Sequence, residues 1–193
     1  MIVNEIAAAG TSIWLDDLSR AKIAGNDALS LPSRIKNSGV VGVTTNPSIF
    51  NSAITGSADY AADIASMKSH SPEDIVKKLT TDDVRQACDL FADIYSQSSG
   101  INGRVSIEVD PRLAHNTSAT IDEGKSLWDV VDRPNLMIKV PATLEGLPAI
   151  TELIASGISV NVTLIFSCQR YEQVIDAFIS GVEEATRRVR FLI

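Results

Sequence analysis

The sequence predicts an α/β fold of the (β/α) barrel kind, and three observations predict it. Strand-like and helix-like stretches alternate along the whole chain with no hairpin signal, the pattern of a parallel sheet. Five of these stretches are short runs rich in Val, Ile and Leu. In each run polar residues fall on alternate positions and gather towards the C-terminal end. A doubly wound sheet would be apolar on both faces, whereas a barrel carries functional groups on one face at its strand ends.

Taken in order, residues 12–17 form the first expected strand. A polar run with Gly25 and Asn26 follows, then a helix over about 31–37 that ends at Gly39. Residues 40–46 are the second strand, halted by Pro47. A long helical region comes next. Ser71-Pro72-Glu73-Asp74 reads as a helix start with a cap, a proline at the first position and an acidic first turn. Thr81-Asp82-Asp83 reads as the start of another, running towards Ser98-Ser99-Gly100. Residues 104–109 are the third strand, and 125–131 lie in the helix after it. Residues 135–143 hold the fourth strand, where Pro141 stops the ladder and Thr143 is placed to cap the next helix. That helix ends near Gly157, residues 159–165 are the fifth strand, and a last helix covers about 169–188.

At 193 residues the chain is expected to be one domain, residues 1–193, with 187–193 an atypical tail. A hydrophobic content of 45% with 21% charged residues fits a globular chain and excludes a disordered one. The net charge of -7 argues against nucleic acid as a partner. No apolar run approaches a membrane span and the N-terminus lacks a basic front, so a cytoplasmic protein without a membrane partner is expected. Cys88 and Cys168 read as reduced packing thiols. His70 and His115 are the two histidines and sit in no ligand-like cluster, so neither a metal nor another cofactor is expected.

Alternation places Ser12, Trp14 and Asp16 on one face of the first strand, and Gly42, Thr44 and Asn46 on one face of the second. Ser106, Glu108 and Asp110 share a face, as do Met137 and Lys139, then Asn161 and Thr163. Lys139 stands in an otherwise apolar strand. Burying an ammonium costs several kcal/mol unless it is paired or loses its proton. Desolvation favours the neutral amine, which can form a Schiff base with a carbonyl. Each residue also has a plain reading: a snorkelling lysine, a loop-capping Asp16, Asn46 before a proline turn, Glu108 as an ion-pair partner of Lys139. Together, Asp16, Asn46, Glu108, Lys139, Asn161 and Thr163 supply an amine nucleophile, two carboxylates for proton transfer and polar groups for a polyhydroxylated substrate. A metal-free aldol reaction needs that set.

At these residues the chain resembles the transaldolase family, in the form found in actinobacteria and related bacteria. The resemblance rests on Ile13-Trp14-Leu15-Asp16-Asp17-Leu18-Ser19-Arg20, Thr44-Thr45-Asn46-Pro47-Ser48-Ile49-Phe50, Val105-Ser106-Ile107-Glu108-Val109-Asp110, Met137-Ile138-Lys139-Val140-Pro141-Ala142-Thr143 and Asn161-Val162-Thr163-Leu164-Ile165-Phe166-Ser167. It implies a (β/α)8 TIM barrel in the pentose phosphate pathway that acts on sugar phosphates. A dihydroxyacetone unit would pass from sedoheptulose 7-phosphate to glyceraldehyde 3-phosphate. By motif position Lys139 would form the Schiff base, Asp16 would exchange the C4-hydroxyl proton, and Glu108 with Thr163 would move protons through a water. Asn46, Ser106 and Asn161 would bind the sugar chain.

The chain also departs from the family pattern. It shows about five of the eight strands, and Arg187-Arg188-Val189-Arg190-Phe191-Leu192-Ile193 does not resemble the family's continuation, as a truncation or frameshift would produce. The expectation that follows is a weakly active or inactive fragment that self-associates through open sheet edges. Arg187, Arg188 and Arg190 read as basic residues at a helix C-terminus, not as a phosphate clamp. A fructose 6-phosphate aldolase is the alternative within the family, but that relative carries a glutamine where this chain has Glu108.

Overall fold

The computed structural model describes residues 2–190. Its elements are α1 (Ile2–Ala8), β1 (Ile13–Asp16), α2 (Arg20–Ala24), α3 (Leu31–Ser38), β2 (Val40–Thr44), α4 (Pro47–Gly56), α5 (Ala61–Ser66), α6 (Pro72–Leu90), α7 (Ala92–Gln97), β3 (Arg104–Glu108), α8 (Thr117–Val131), β4 (Leu136–Pro141), α9 (Gly146–Ala155), β5 (Val160–Thr163) and α10 (Cys168–Arg190). The strands follow one another in sequential order, β1-β2-β3-β4-β5. That is the order of a (β/α) barrel; a doubly wound sheet reverses its order at a switch point. β1 pairs with β2, β2 with β3, and β4 with β5, all parallel. Between β3 and β4, the Val105 N–H donates to the Asn135 carbonyl and the Val109 N–H to the Lys139 carbonyl. Those bonds advance together along both strands, as parallel strands do.

The chain divides into two compact units, residues 1–106 with 131–136 and residues 107–130 with 137–193, the division falling inside β3 and at the start of β4. In the first unit Leu18, Leu31, Val43, Val84, Phe91 and Val105 are fully buried. Gly42 is demanded by close approach: a Cβ there would lie 2.5 Å from the Trp14 ring, its register partner on β1. α3 ends at Gly39, as expected, and that residue takes the left-handed region (φ 63). α6 begins as expected too, with the Ser71 Oγ accepting from the Asp74 N–H and Pro72 in the first turn.

Three readings of local sequence need correction. No helix starts at Thr81-Asp82-Asp83, because α6 runs unbroken from Pro72 to Leu90. The Thr81 hydroxyl donates to the Lys77 carbonyl one turn back, the use a threonine finds in mid-helix, and Asp83 is fully buried. Pro141 does not end the fourth strand's pairing outright. Ile138 and Ala142 donate to Ser159 and Thr163 on the β5 side, so Pro141 stands where a donor would face β3. The missing N–H therefore closes one ladder while the other goes on. Third, Cys168 is an exposed thiol at the start of α10, not a packing residue. Cys88 does pack, and its burial pushes the thiol up to about 12.

In the second unit Val140, Ile138, Ile150 and Leu153 are fully buried, and the part-exposed Met137 and Lys139 alternate with them along β4. Thr143 does cap the following turn: its Oγ1 accepts from the Gly146 N–H and its carbonyl from the Leu147 N–H. Gly181 lets α10 approach α9, since a Cβ there would meet Ile154 and the Thr151 carbonyl at 2.8 Å. Residues 191–193 of the expected tail and the Arg190 side chain lie outside the described residues. Among the described residues no helix is long and apolar enough to cross a membrane.

Candidate active site

The register of the strands arranges the predicted residues in rows. In the second unit Lys139 pairs with Asn161 and Pro141 with Thr163 across β4 and β5. Residues in register on parallel strands project to the same face, so Asn161 stands beside Lys139 and Thr163 one step further along. On the other side of β4, the bond from Val109 N–H to the Lys139 carbonyl brings Glu108 alongside. The Lys139 Nζ lies 3.2 Å from the Glu108 Oε2, and their side chains are 13% and 12% exposed. The row is thus carboxylate, amine, carboxamide at the C-terminal ends of three adjacent strands, with a hydroxyl just beyond. A nearly buried ammonium held by a carboxylate suits proton exchange between the two, and Asn161 offers both donor and acceptor.

The first unit carries its own row. Asp16 pairs with Thr44 across β1 and β2, and Thr44 with Ser106 across β2 and β3. Asp16 is exposed, Thr44 half-buried and Ser106 fully buried. The Thr45 hydroxyl, one residue past the end of β2, donates to the Ser106 carbonyl at 2.8 Å and fixes that height. Asn46 has a structural task of its own: its Oδ1 accepts from the Ile49 N–H at 3.0 Å and caps α4. The capping bond occupies the oxygen and leaves the amide nitrogen as the donor end of that side chain. Asp17, next to Asp16, is engaged with Lys22 in an ion pair.

The sequence reading passed over two features. Thr44 lies in the Asp16–Ser106 row, and its place on the polar face of β2 was signal enough to include it. A buried network of Arg20, Tyr60 and Asp83 lies behind the β1 exit, where no periodic signal points to it. Arg187 and Arg188 of α10 are tied to carboxylates: Arg187 to Glu183 and Glu184, Arg188 to Glu184 and to Glu152 at 2.7 Å. Arg188 and then Lys125 hold the Glu152 carboxyl down to about 2. Of the two histidines, His115 contacts Glu145 at 3.1 Å. Among the described residues no group of three His, Cys, Asp or Glu side chains is placed to hold a metal ion.

Comparison with known proteins places this arrangement. The pattern of the family described as Transaldolase/Fructose-6-phosphate aldolase matches residues 13–190. The chain is 55% identical over 183 residues to a transaldolase of Acidothermus cellulolyticus, covering 94% of this chain and 48% of that protein. It is 52% identical over 185 residues to a transaldolase of Saccharopolyspora erythraea, covering 95% and 49%. Against a transaldolase of Mycobacterium tuberculosis the identity is 52% over 182 residues, covering 93% and 48%. The chain spans about half the length of the curated relatives it matches. With the family pattern running through all five strands, the chain belongs to the transaldolase/fructose-6-phosphate aldolase family.

Proposed function

We propose that the chain carries the Schiff-base chemistry of a transaldolase, moving a dihydroxyacetone unit from sedoheptulose 7-phosphate to glyceraldehyde 3-phosphate in the pentose phosphate pathway. The observation that carries this reading is the Lys139–Glu108 pair at 3.2 Å on adjacent strand ends, nearly enclosed. In this reading Lys139 attacks the ketose C2 carbonyl to give a carbinolamine. Glu108, with Thr163, returns the proton that lets hydroxide leave as water and the imine form. Asp16 takes the C4-hydroxyl proton as the C3–C4 bond breaks. The electrons of that bond pass into the imine, leaving an enamine on Lys139 that attacks the acceptor aldehyde, and Asp16 returns the proton. Asn46, Ser106 and Asn161 hydrogen-bond the sugar chain, Ser106 being the most enclosed of them. Cytoplasm is the compartment we propose for this reaction, sugar phosphates the substrates, and self-association through sheet edges a property to be tested by sizing the chain.

Borohydride reduction of the chain in the presence of fructose 6-phosphate tests the central step. The tryptic peptide holding Lys139 should gain the mass of the reduced adduct, and Lys139→Ala should not label. Equal labelling of the Lys139→Ala chain overturns the assignment.

A further inference from the structure

Asp16 is the last residue of β1, and the chain leaves the sheet directly after it. Four residues on, Arg20 opens α2. Between them Leu18 is fully buried, so the exit is pinned in the middle. What pins its far end is polar. The Arg20 backbone N–H donates to the Tyr60 Oη at 3.0 Å, and that hydroxyl donates to the Asp83 Oδ2 at 2.6 Å. The Arg20 guanidinium closes the network. Its Nε donates to the Asp83 Oδ1 at 3.3 Å, its Nη1 reaches the Asp59 carbonyl at 3.1 Å and the Asp63 carboxylate at 2.5 Å, and it lies 4.5 Å above the Tyr60 ring. Tyr60 and Asp83 are 1% and 0% exposed. Burial pushes the Asp83 carboxyl up, opposed by its bonds to Tyr60 and Arg20.

A buried carboxylate is a costly way to hold a helix of five residues, since apolar side chains of the same volume often serve stability as well. What apolar residues cannot do is give a backbone amide one direction. With the phenol proton committed to Asp83, the Tyr60 oxygen can only accept, and the Arg20 N–H is the donor it accepts from. We propose that Tyr60 and Asp83 are positioning residues for Asp16, fixing the backbone where it leaves β1 so that the Asp16 carboxylate is held in one place. The proposal rests on the reading of Asp16 as the proton-transfer group.

The test uses the 193-residue chain labelled with carbon-13, the Asp16 carboxyl resonance being assigned by its loss in Asp16→Asn. Tyr60→Phe keeps the ring under Arg20 and removes only the hydroxyl. At fixed pH the Asp16 carboxyl signal should then shift or split, and amide exchange at residues 17–19 should speed by about tenfold or more. The Glu108 carboxyl signal and exchange in β5 should stay as they were. A role confined to stability would lower the melting temperature and leave the Asp16 signal in place, and that result overturns the proposal. If Tyr60→Phe does not fold, Asp83→Asn, which keeps the shape and removes the charge, gives the same readout. Turnover of Asp16→Ala, in a preparation that turns over substrate, reports separately on Asp16 as the proton-transfer group, so the two can fail independently.

Discussion

Replacing Glu108 with leucine should destabilise the second unit far more than replacing Glu108 and Lys139 together. At 3.2 Å the two charges attract by about 5 kcal/mol at an effective dielectric of about 20, before desolvation is set against it. Side chains only 12–13% exposed have lost most of their water, so Glu108→Leu leaves an ammonium that keeps its desolvation cost without its carboxylate. Breaking such a pair from one side costs about 3–5 kcal/mol, and the residual exposure places this case near 3. The double change Glu108→Leu with Lys139→Met removes both charges and should cost less than about 1 kcal/mol. Urea denaturation followed by the fluorescence of Trp128, in α8 of the same unit, would measure the difference. A coupling energy of roughly 2 kcal/mol or more is expected from the double-mutant cycle. A coupling below about 0.5 kcal/mol would show that the pair is solvated, and the argument for an enclosed amine would go with it.

Three further substitutions test the site and the fold around it. In a preparation that turns over substrate, Asp16→Ala should lower turnover about 10²-fold or more, while Asp17→Ala, which breaks a part-exposed pair with Lys22, should cost at most about 1 kcal/mol of stability; equal losses of turnover at equal stability would place the strand alternation one residue out. Glu152 joins Lys125 and Arg188, and its carboxyl is depressed from the ordinary 4.5 to about 2. A depressed carboxyl stabilises the fold above its unfolded pKa and ceases to do so as pH falls through the folded one. The melting-temperature gap between the parent and Glu152→Gln should therefore be full above about 4.5 and close by about 2, and a gap unchanged across that window would refute the assignment.

Much of this was legible in the sequence because it is local. The Ser71 cap, the helix end at Gly39 and the Thr143 cap each depend on a few neighbouring residues, and each is found where those residues predict it. The same locality misleads at Thr81, whose side chain is the right type for a cap and here bonds back to Lys77 inside a continuous helix. What decides between the two is the burial of Asp83, which depends on Tyr60 and Arg20, 23 and 63 residues away in sequence. No window along the chain contains that information.

Alternation has a comparable limit: it assigns a face but not a depth. Asp16, Ser106 and Glu108 all fall on the polar faces of their strands, yet Asp16 is exposed, Ser106 is fully buried and Glu108 is nearly enclosed against Lys139. Depth comes from the neighbouring strands and from cross-strand ties such as the Thr45 hydroxyl on the Ser106 carbonyl. The chemistry follows depth more than face. An amine and a carboxylate that share an enclosed position can exchange a proton without competition from bulk water, whereas an exposed carboxylate depends for its geometry on the backbone that carries it. For Lys139 and Glu108 the strand register itself supplies that geometry. Asp16 is held in register too, opposite Thr44, but it is exposed and the chain leaves the sheet after it, and the buried Tyr60 and Asp83 lie where added support from outside the strand would act.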